Sequence, residues 1–300
     1  MTSDDRAPVI IEASLNGGTP KSRNRHVPRT PDEVVRDAIA CIDAGAAMVH
    51  NHTDDPVLGG SGVHDPEPYL QAWRVILCER PGTLLYPTMA CGGPHVTIED
   101  RYSHIVRLAK EGVLAQGLVD PGSTNLGGLD EEGLPSVHGR VYENTFADSR
   151  YMVETCRRLN VGMSVSIFEP GFLRFLLAYH AAGRLPRGTM VKLYFGGRLF
   201  GLPPSQPSLD AYLAMLEGTR LPWLASVMGG DIFENGFARL VLERGGHLQV
   251  GLEPYNGEGE PTNLELVERA VALAGEVGRP LADSAKAADI LDLPSAPAAR

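Results

Sequence analysis

Two histidines separated by one residue end an apolar run in the segment AGAAMVHNHTDDP, residues 44–56. Residues i and i+2 of a β-strand point to the same side of a sheet, so His50 and His52 are expected to share one face. Two neighbouring imidazoles can bind one metal ion, and without a metal each would need another polar partner once buried. A chance pair is the alternative in a chain with nine histidines. The position of the pair at a strand end favours a metal site.

A third candidate ligand ends another apolar run. Glu253 follows LQVGL, and the segment continues as PYNGEGEPTN. A lone carboxylate is costly to bury unless it is paired or bound to a metal. Two histidines and a glutamate leave a fourth coordination position open, which is typical of catalytic zinc sites. The alternative for Glu253 is a solvated carboxylate in a loop.

The elements that must position these residues follow a regular alternation. Eight short apolar runs alternate with longer amphipathic stretches, which is the pattern of an α/β (βα)8 TIM barrel. We expect residues 1–300 to form a single barrel domain. A doubly wound open sheet is the alternative, but no G-x-G-x-x-G follows the first apolar run. The predicted strands begin at Val9, Ala46, Leu84, Leu114, Val161, Met190, Trp223 and Leu248.

Helix signals are clearest at two capping boxes. Thr30 is followed by Pro31 at the first helical position and by Glu33, and Thr262 is followed by Glu265. In each box a threonine side chain caps the helix and a glutamate reaches back to the threonine N–H. Further helices are predicted over roughly 67–79, 100–111, 147–159, 170–182, 208–217 and 234–244, with a last short one near SAKAADILDL.

Long loops follow the predicted strands, whereas the segments that lead from helix into strand are short. In a barrel, the face at the strand C-termini carries the long loops and the active site. His50, His52 and Glu253 all lie at this face, and the second and eighth strands both flank the first, so the three side chains can converge. The long segments are 17–30, 53–66, 121–146, 196–207 and 254–261.

The composition of the chain argues against some classes of function and partner. The net charge is −10 and no basic stripe is present, which argues against a nucleic acid partner. An anionic substrate would therefore need local positive charge, such as a metal or an arginine. The four cysteines form no C-x-x-C pair, and no apolar stretch is long enough to cross a membrane. We expect a cytoplasmic protein.

Several motifs together resemble the beta-keto acid cleavage enzyme family, of which this chain would be a divergent member. They are AGAAMVHNHTDDP, CGGP, DPGSTNLGG, FGGRLFGLPP and VGLEPYNGEGEPTN, and the resemblance covers nearly the whole chain. It implies a (βα)8 barrel with one Zn²⁺ per chain, bound by His50, His52 and Glu253. It also implies a homo-oligomer, a dimer or a tetramer. The implied reaction joins a β-keto acid with acetyl-CoA and releases acetoacetate and a new acyl-CoA.

The chain departs from the family pattern around the implied base. The family has an arginine four residues before the ligand glutamate and an aspartate directly after it, where this chain has Gln249 and Pro254. A family glutamate in the fifth strand aligns with Ser166, and a family serine aligns with Ala90. The Arg-Asp pair that follows the two histidines becomes Asp54-Asp55. The metal ligands are therefore expected to be kept, and the base to be lost or replaced.

Four carboxylates remain as candidates for the general base: Glu169, Asp54, Glu12 and Asp231. A base must come within hydrogen-bond reach of the proton that it removes. For Glu169, Asp54 and Asp231 the alternative is a solvated loop position or a helix cap.

Six further residues are candidates for substrate binding. Gly92 and Gly93 can form a backbone nest for a carboxylate, and Arg198 in FGGRLFG is the strongest candidate for an anion contact. Asn16 shares a strand face with Glu12. The remaining two are Ser123 in DPGSTNLGG and Gln249 at the position of the family arginine.

Two alternative functions stay open. One is a metal-dependent carbon–carbon lyase that splits its substrate without CoA. The other is a protein that binds a keto acid without catalysing a reaction. An assay for thioester formation with acetyl-CoA distinguishes the family reaction from both.

Overall fold

Eight parallel strands form one sheet that nearly closes on itself. A computed structural model of the chain describes residues 7–57, 59–92, 95–196 and 199–294. The strands are β1 (Ile11–Ser14), β2 (Met48–Asn51), β3 (Leu84–Pro87), β4 (Gln116–Val119), β7 (Gly162–Ile167), β8 (Thr189–Gly196), β9 (Trp223–Met228) and β10 (His247–Val250). Their order in the sheet is β3-β2-β1-β10-β9-β8-β7-β4. The edge strands β3 and β4 meet where the N–H of Ala115 donates to the carbonyl of Leu85 at 3.0 Å.

Helices follow the strands around the outside of the sheet, as the alternation predicts. Buried side chains of both layers form one apolar core, because parallel strands are covered on both faces. The prediction of a (βα)8 barrel is confirmed. The helices are α1 (Pro31–Asp43), α2 (Glu67–Glu79), α3 (Ile98–Arg101), α4 (Ser103–Lys110), α5 (Phe146–Leu159), α6 (Pro170–Ala181), α7 (Gln206–Leu216), α8 (Phe237–Glu243), α9 (Asn263–Val277) and α10 (Ser284–Leu291).

Both predicted capping boxes are present. The Thr30 side chain accepts a hydrogen bond from the N–H of Glu33, and Thr262 does the same for Glu265. The helix predicted near residues 100–111 is in fact two helices, α3 and α4, that meet at Tyr102. The helix predicted at 234–244 begins later, at Phe237, after a single turn of 3₁₀ helix.

The long segment after β4 contains a hairpin that sequence analysis did not predict. Its strands are β5 (Thr124–Leu126) and β6 (Arg140–Tyr142), which pair antiparallel with Thr124 opposite Tyr142. The run of alternating residues is too short in each strand to give a clear period-two pattern. The hairpin brings Tyr142 back to the end of β4.

In the part of the chain that the structure describes, no helix combines the length and the apolar character needed to cross a lipid bilayer.

Candidate metal centre and substrate cavity

Three side chains converge at the C-terminal ends of β2 and β10. His50 lies in β2, His52 directly follows that strand, and Glu253 lies shortly after β10. β1 lies between the two strands, and its register pairs Ser14 with His50. One ligand atom from each of the three side chains lies within 4.8 Å of the others. The structure thus brings together the three residues that the sequence singles out as ligands.

The polar atoms of this cluster fit a divalent cation. Nδ1 of His50 lies 3.2 Å from the carbonyl oxygen of Tyr86 and must carry the proton to bond with it. Nε2 of His50 therefore directs a lone pair toward Oε2 of Glu253, 3.2 Å away. This oxygen is buried and has no aligned hydrogen-bond partner among the described residues. A cation between the two lone pairs would satisfy both, and nitrogen and carboxylate oxygen are ligands that zinc accepts.

The protonation states also favour metal binding. Burial would raise the pKa of Glu253, but the neighbouring His50 and His52 hold it well below its usual range. Burial lowers the pKa of His52 and so favours the neutral imidazole. Nε2 of His52 lies 3.1 Å from Oε1 of Glu253. A carboxylate and neutral imidazoles are the forms that bind metals.

Two residues of the loop after β1, Asn16 and Gly17, contact the residues of the metal cluster. The Asn16 amide donates to the carbonyl of His52 at 3.0 Å, and its oxygen accepts from the N–H of His52 at 2.7 Å. Gly17 has a φ of +50°, and a Cβ at this position would overlap the side chain of Glu253. The backbone therefore approaches the carboxylate more closely than any other residue type permits.

A cavity of about 340 Å³ opens beside the cluster. His50, His52 and Glu253 line one part of it. Strands on the other side of the barrel contribute Lys192 from β8, and Asp120 follows β4. Much of the remaining wall is apolar, which would favour an uncharged substrate group. The apolar side chains are Pro56, Val57, Met89, Leu118, Leu126, Phe168 and Met228.

A buried chain of polar groups runs across the barrel beneath the cavity. Lys192 donates from Nζ to the hydroxyl oxygen of Tyr86 at 2.6 Å, and Tyr86 donates to Oε1 of Glu12 at 2.5 Å. Nζ of Lys192 and Oε1 of Glu12 are 3.6 Å apart, and both side chains are fully buried. Each charge therefore has an opposite charge beside it, which avoids the large cost of burying either one alone.

Asp120 lines the cavity, and its two carboxylate oxygens have different surroundings. Oδ2 accepts a hydrogen bond from the hydroxyl of Tyr142 at 2.6 Å. Oδ1 is buried, and the described residues offer it no partner. Burial raises the pKa of Asp120 above the usual value, despite the hydrogen bond from Tyr142. This carboxyl therefore holds a proton more readily than an exposed aspartate does.

The sequence of the chain matches the family model for beta-keto acid cleavage enzymes over residues 8–293. The chain belongs to the beta-keto acid cleavage enzyme family.

Curated members of the family share about a quarter of their residues with this chain. The 3-keto-5-aminohexanoate cleavage enzyme of Acetoanaerobium sticklandii is 27% identical, over 95% of this chain and 98% of that protein. The 3-oxoadipate:acetyl-CoA acetyltransferase of Cupriavidus necator is 26% identical, over 96% of each. The 3-dehydrocarnitine:acetyl-CoA trimethylamine transferase of Rhizobium meliloti is 26% identical, over 90% and 91%. Their names differ in the keto acid.

Solved structures support the fold. The apo structure of ObcA superposes with a TM-score of 0.66 at 14% identity, covering 89% of this chain and 66% of that one. A type I 3-dehydroquinate dehydratase from Clostridium difficile gives a TM-score of 0.54 at 10% identity, covering 91% and 94%. At these identities the likeness concerns the barrel alone.

Gln249 and Pro254 occupy two of the positions at which the sequence analysis found a departure from the family pattern. The Gln249 amide donates to Ser14 at 2.5 Å and to Tyr194 at 3.3 Å. It lies in the buried polar layer and is not among the described residues that line the cavity. The Pro254 carbonyl accepts from Gly229 at 2.8 Å. Neither residue can accept a proton from a substrate.

The four base candidates from the sequence lie away from the described wall of the cavity. Glu169 precedes α6 and accepts hydrogen bonds from the Thr124 hydroxyl at 2.9 Å and the Gly201 N–H at 3.1 Å. Asp54 is exposed. Oδ2 of Asp231 lies 3.2 Å from Nη2 of Arg269, so this carboxylate forms a salt bridge. Glu12 lies beneath the cavity in its pair with Lys192. The role of each stays a prediction.

The substrate-binding candidates are also spread out. Asn16 uses its amide to hold the backbone of His52, and the Ser123 hydroxyl donates to the carbonyl of Asn144 at 3.1 Å. Gly92 has a positive φ and packs closely against Arg101. None of these residues, nor Gln249, belongs to the described lining. Gly93 and Arg198 lie outside the described residues.

Sequence reasoning missed Asp120 and Lys192. Asp120 ends the apolar run LAQGLVD in the same way that Glu253 ends LQVGLE, and this similarity was a usable signal. Lys192 is a single cation inside the apolar run MVKLYFG. A lysine in the interior of a barrel strand must be paired or functional, because an isolated buried ammonium is costly.

Proposed function

We propose that this chain is a Zn²⁺-dependent β-keto acid cleavage acyltransferase. It joins a β-keto acid with acetyl-CoA and releases acetoacetate and the acyl-CoA of the remaining part of the substrate. The observation that carries the proposal is the cluster of His50, His52 and Glu253, which opens onto a cavity of about 340 Å³. Membership of the family supports the reaction class.

The side chains around the cavity have distinct tasks in this reaction. His50, His52 and Glu253 would hold the metal, which when bound acts as a Lewis acid on the β-keto oxygen. The Tyr86 carbonyl fixes the ring of His50 through Nδ1. Lys192 supplies positive charge for the carboxylate of the substrate or for the developing enolate. The apolar walls exclude water, which strengthens each of these interactions.

The acyl group of the preferred substrate is inferred to be uncharged. An ammonium group placed against apolar walls such as Leu118, Phe168 and Met228 would lose its hydration, and these side chains offer no acceptor to replace it. We expect kcat/KM with acetyl-CoA to be at least about 10²-fold higher for a β-keto acid with an alkyl chain than for 3-keto-5-aminohexanoate. The measurement is acyl-CoA formation by each substrate at equal protein concentration.

The same assay separates the alternatives. Omission of acetyl-CoA should stop the reaction, and continued cleavage would support a CoA-independent lyase. Binding of keto acids without any turnover would support a binding protein. Efficient turnover of the amino substrate would contradict the inference about the acyl group.

We also infer that the chain forms a homo-oligomer through the segment between β5 and β6. Four apolar side chains of this segment and its second strand are exposed, by 59% for Leu129, 56% for Leu134, 90% for Val137 and 58% for Val141. Neighbouring exposed apolar groups are typical of an interface. Light scattering should give a dimer or a tetramer, and Val137→Asp should reduce association. A monomeric wild type, or a variant with unchanged association, would contradict this.

A further inference from the structure

A carboxylate able to accept a proton is required by the proposed reaction, and the family position for it holds Pro254. Among the described lining residues, two carboxylates are present: Glu253 in the metal cluster and Asp120 at the end of β4. Because Glu253 is assigned as a metal ligand, it is not available as the base. We propose that Asp120 is the catalytic base that removes the α-proton of the β-keto acid.

The geometry around Asp120 suits a base. The Tyr142 hydroxyl holds Oδ2 at 2.6 Å and so fixes the orientation of the carboxyl group. Oδ1 is buried and has no hydrogen-bond partner within the described ranges. A buried unpaired acceptor costs free energy in the free protein, and a proton taken from the substrate would satisfy it. One oxygen therefore positions the group while the other remains available.

The proposed step is a single proton transfer. The C–H bond at the α-carbon breaks, the proton moves to Oδ1 of Asp120, and the electron pair remains on the substrate as an enolate. The enolate can then attack the thioester carbonyl of acetyl-CoA. The CoA thiolate released by this attack adds to the original acyl carbonyl, the carbon–carbon bond breaks, and the protonated carboxyl of Asp120 returns its proton to the acetoacetate enolate that leaves.

The groups around Asp120 shift the pKa of its carboxyl group in opposing directions. Burial raises its pKa, and the hydroxyl groups of Tyr142 and Ser166 together with the positive charges of Lys192 and Arg101 partly oppose the shift. A stronger base removes a carbon-bound proton faster, provided that it is ionised at the working pH. Lys192 lines the same cavity and favours the ionised form.

The test is α-proton exchange of acetoacetate in D₂O, followed by NMR with the Zn²⁺-loaded protein and no CoA. Asp120→Asn should reduce the exchange rate by about 10²–10⁴-fold. Zinc content and acetoacetate affinity should remain as in the wild type. Asp37→Asn is the matched control, because Asp37 is a half-buried carboxyl whose pKa burial also raises, outside the cavity.

A second variant tests the role through the pH profile. Tyr142→Phe removes a hydrogen bond that lowers the pKa of Asp120, so this pKa should rise. A base works only when ionised, so exchange is lost as the pH falls through its pKa. The acid limb of the exchange profile should therefore move to higher pH in Tyr142→Phe.

The outcomes distinguish this inference from the proposed function on which it rests. Wild-type exchange that persists in Asp120→Asn, or an acid limb unmoved in Tyr142→Phe, would overturn the role of Asp120 and leave the reaction class standing. Loss of exchange in Glu169→Gln but not in Asp120→Asn would assign the base to Glu169 instead. A wild type that exchanges no α-proton would overturn both proposals.

Discussion

Replacement of Glu253 by glutamine is expected to remove the bound metal and to reduce kcat/KM about 10³-fold. Glutamine has nearly the same shape, so the effect isolates the negative charge. His50 and His52 alone would leave two neutral ligands, whereas the carboxylate completes a set that balances part of the charge of the cation. A Lewis acid contributes several kcal/mol to the transition state, and 1.4 kcal/mol corresponds to about tenfold in rate.

Elemental analysis and steady-state kinetics measure the two effects separately. The wild type should contain about one Zn²⁺ per chain. Glu258→Gln is the control, because Glu258 is an exposed residue of the same loop. His50→Ala should lose the metal in the same way. Full zinc content in both Glu253→Gln and His50→Ala would show that the ligand assignment is wrong.

Lys192→Met is expected to lower the free energy of unfolding by about 3–5 kcal/mol, as for other buried ion pairs that lose one partner. Lys192 and Glu12 are fully buried, and Tyr86 connects them. Loss of the ammonium would leave the buried Glu12 carboxylate with its hydrogen bond from Tyr86 but without a positive charge beside it. Methionine has a similar length, so the change in packing volume is small.

A double variant distinguishes the charge from the packing. Glu12→Gln together with Lys192→Met removes both charges and should recover most of the lost stability. Urea denaturation followed by circular dichroism gives the free energies. Lys110→Met, at an exposed lysine of α4, should change stability by no more than about 0.5 kcal/mol. A double variant as unstable as Lys192→Met would exclude charge pairing as the cause.

The barrel was predictable because its signals are local. Each capping box, at Thr30 and at Thr262, is a motif of four consecutive residues that marks the start of a helix. The short apolar runs mark the strands. The convergence of His50 with Glu253 needed one further step, the closure of the sheet that places β1 between β2 and β10. That step follows from the fold once the alternation is recognised.

The opposite wall of the cavity was not predictable in the same way. Strands of a parallel barrel are apolar on both faces, so MVKLYFG gives no alternation that would show Lys192 pointing inward. Its partners, Glu12 and Tyr86, come from β1 and β3. The environment of Asp120 depends on Tyr142, which a hairpin without a clear sequence pattern returns to the end of β4. Distant pairings of this kind require the three-dimensional arrangement.

Gly17 imposes a constraint on how this enzyme can diverge. Its positive φ and its contact with Glu253 leave no room for a Cβ, so any other residue would displace the carboxylate. The constraint holds in a lineage as long as the glutamate remains a ligand. Walls of the cavity such as Met228 can change with the keto acid, because they have no such dependence on the metal cluster. Selection can thus vary the substrate while position 17 stays fixed.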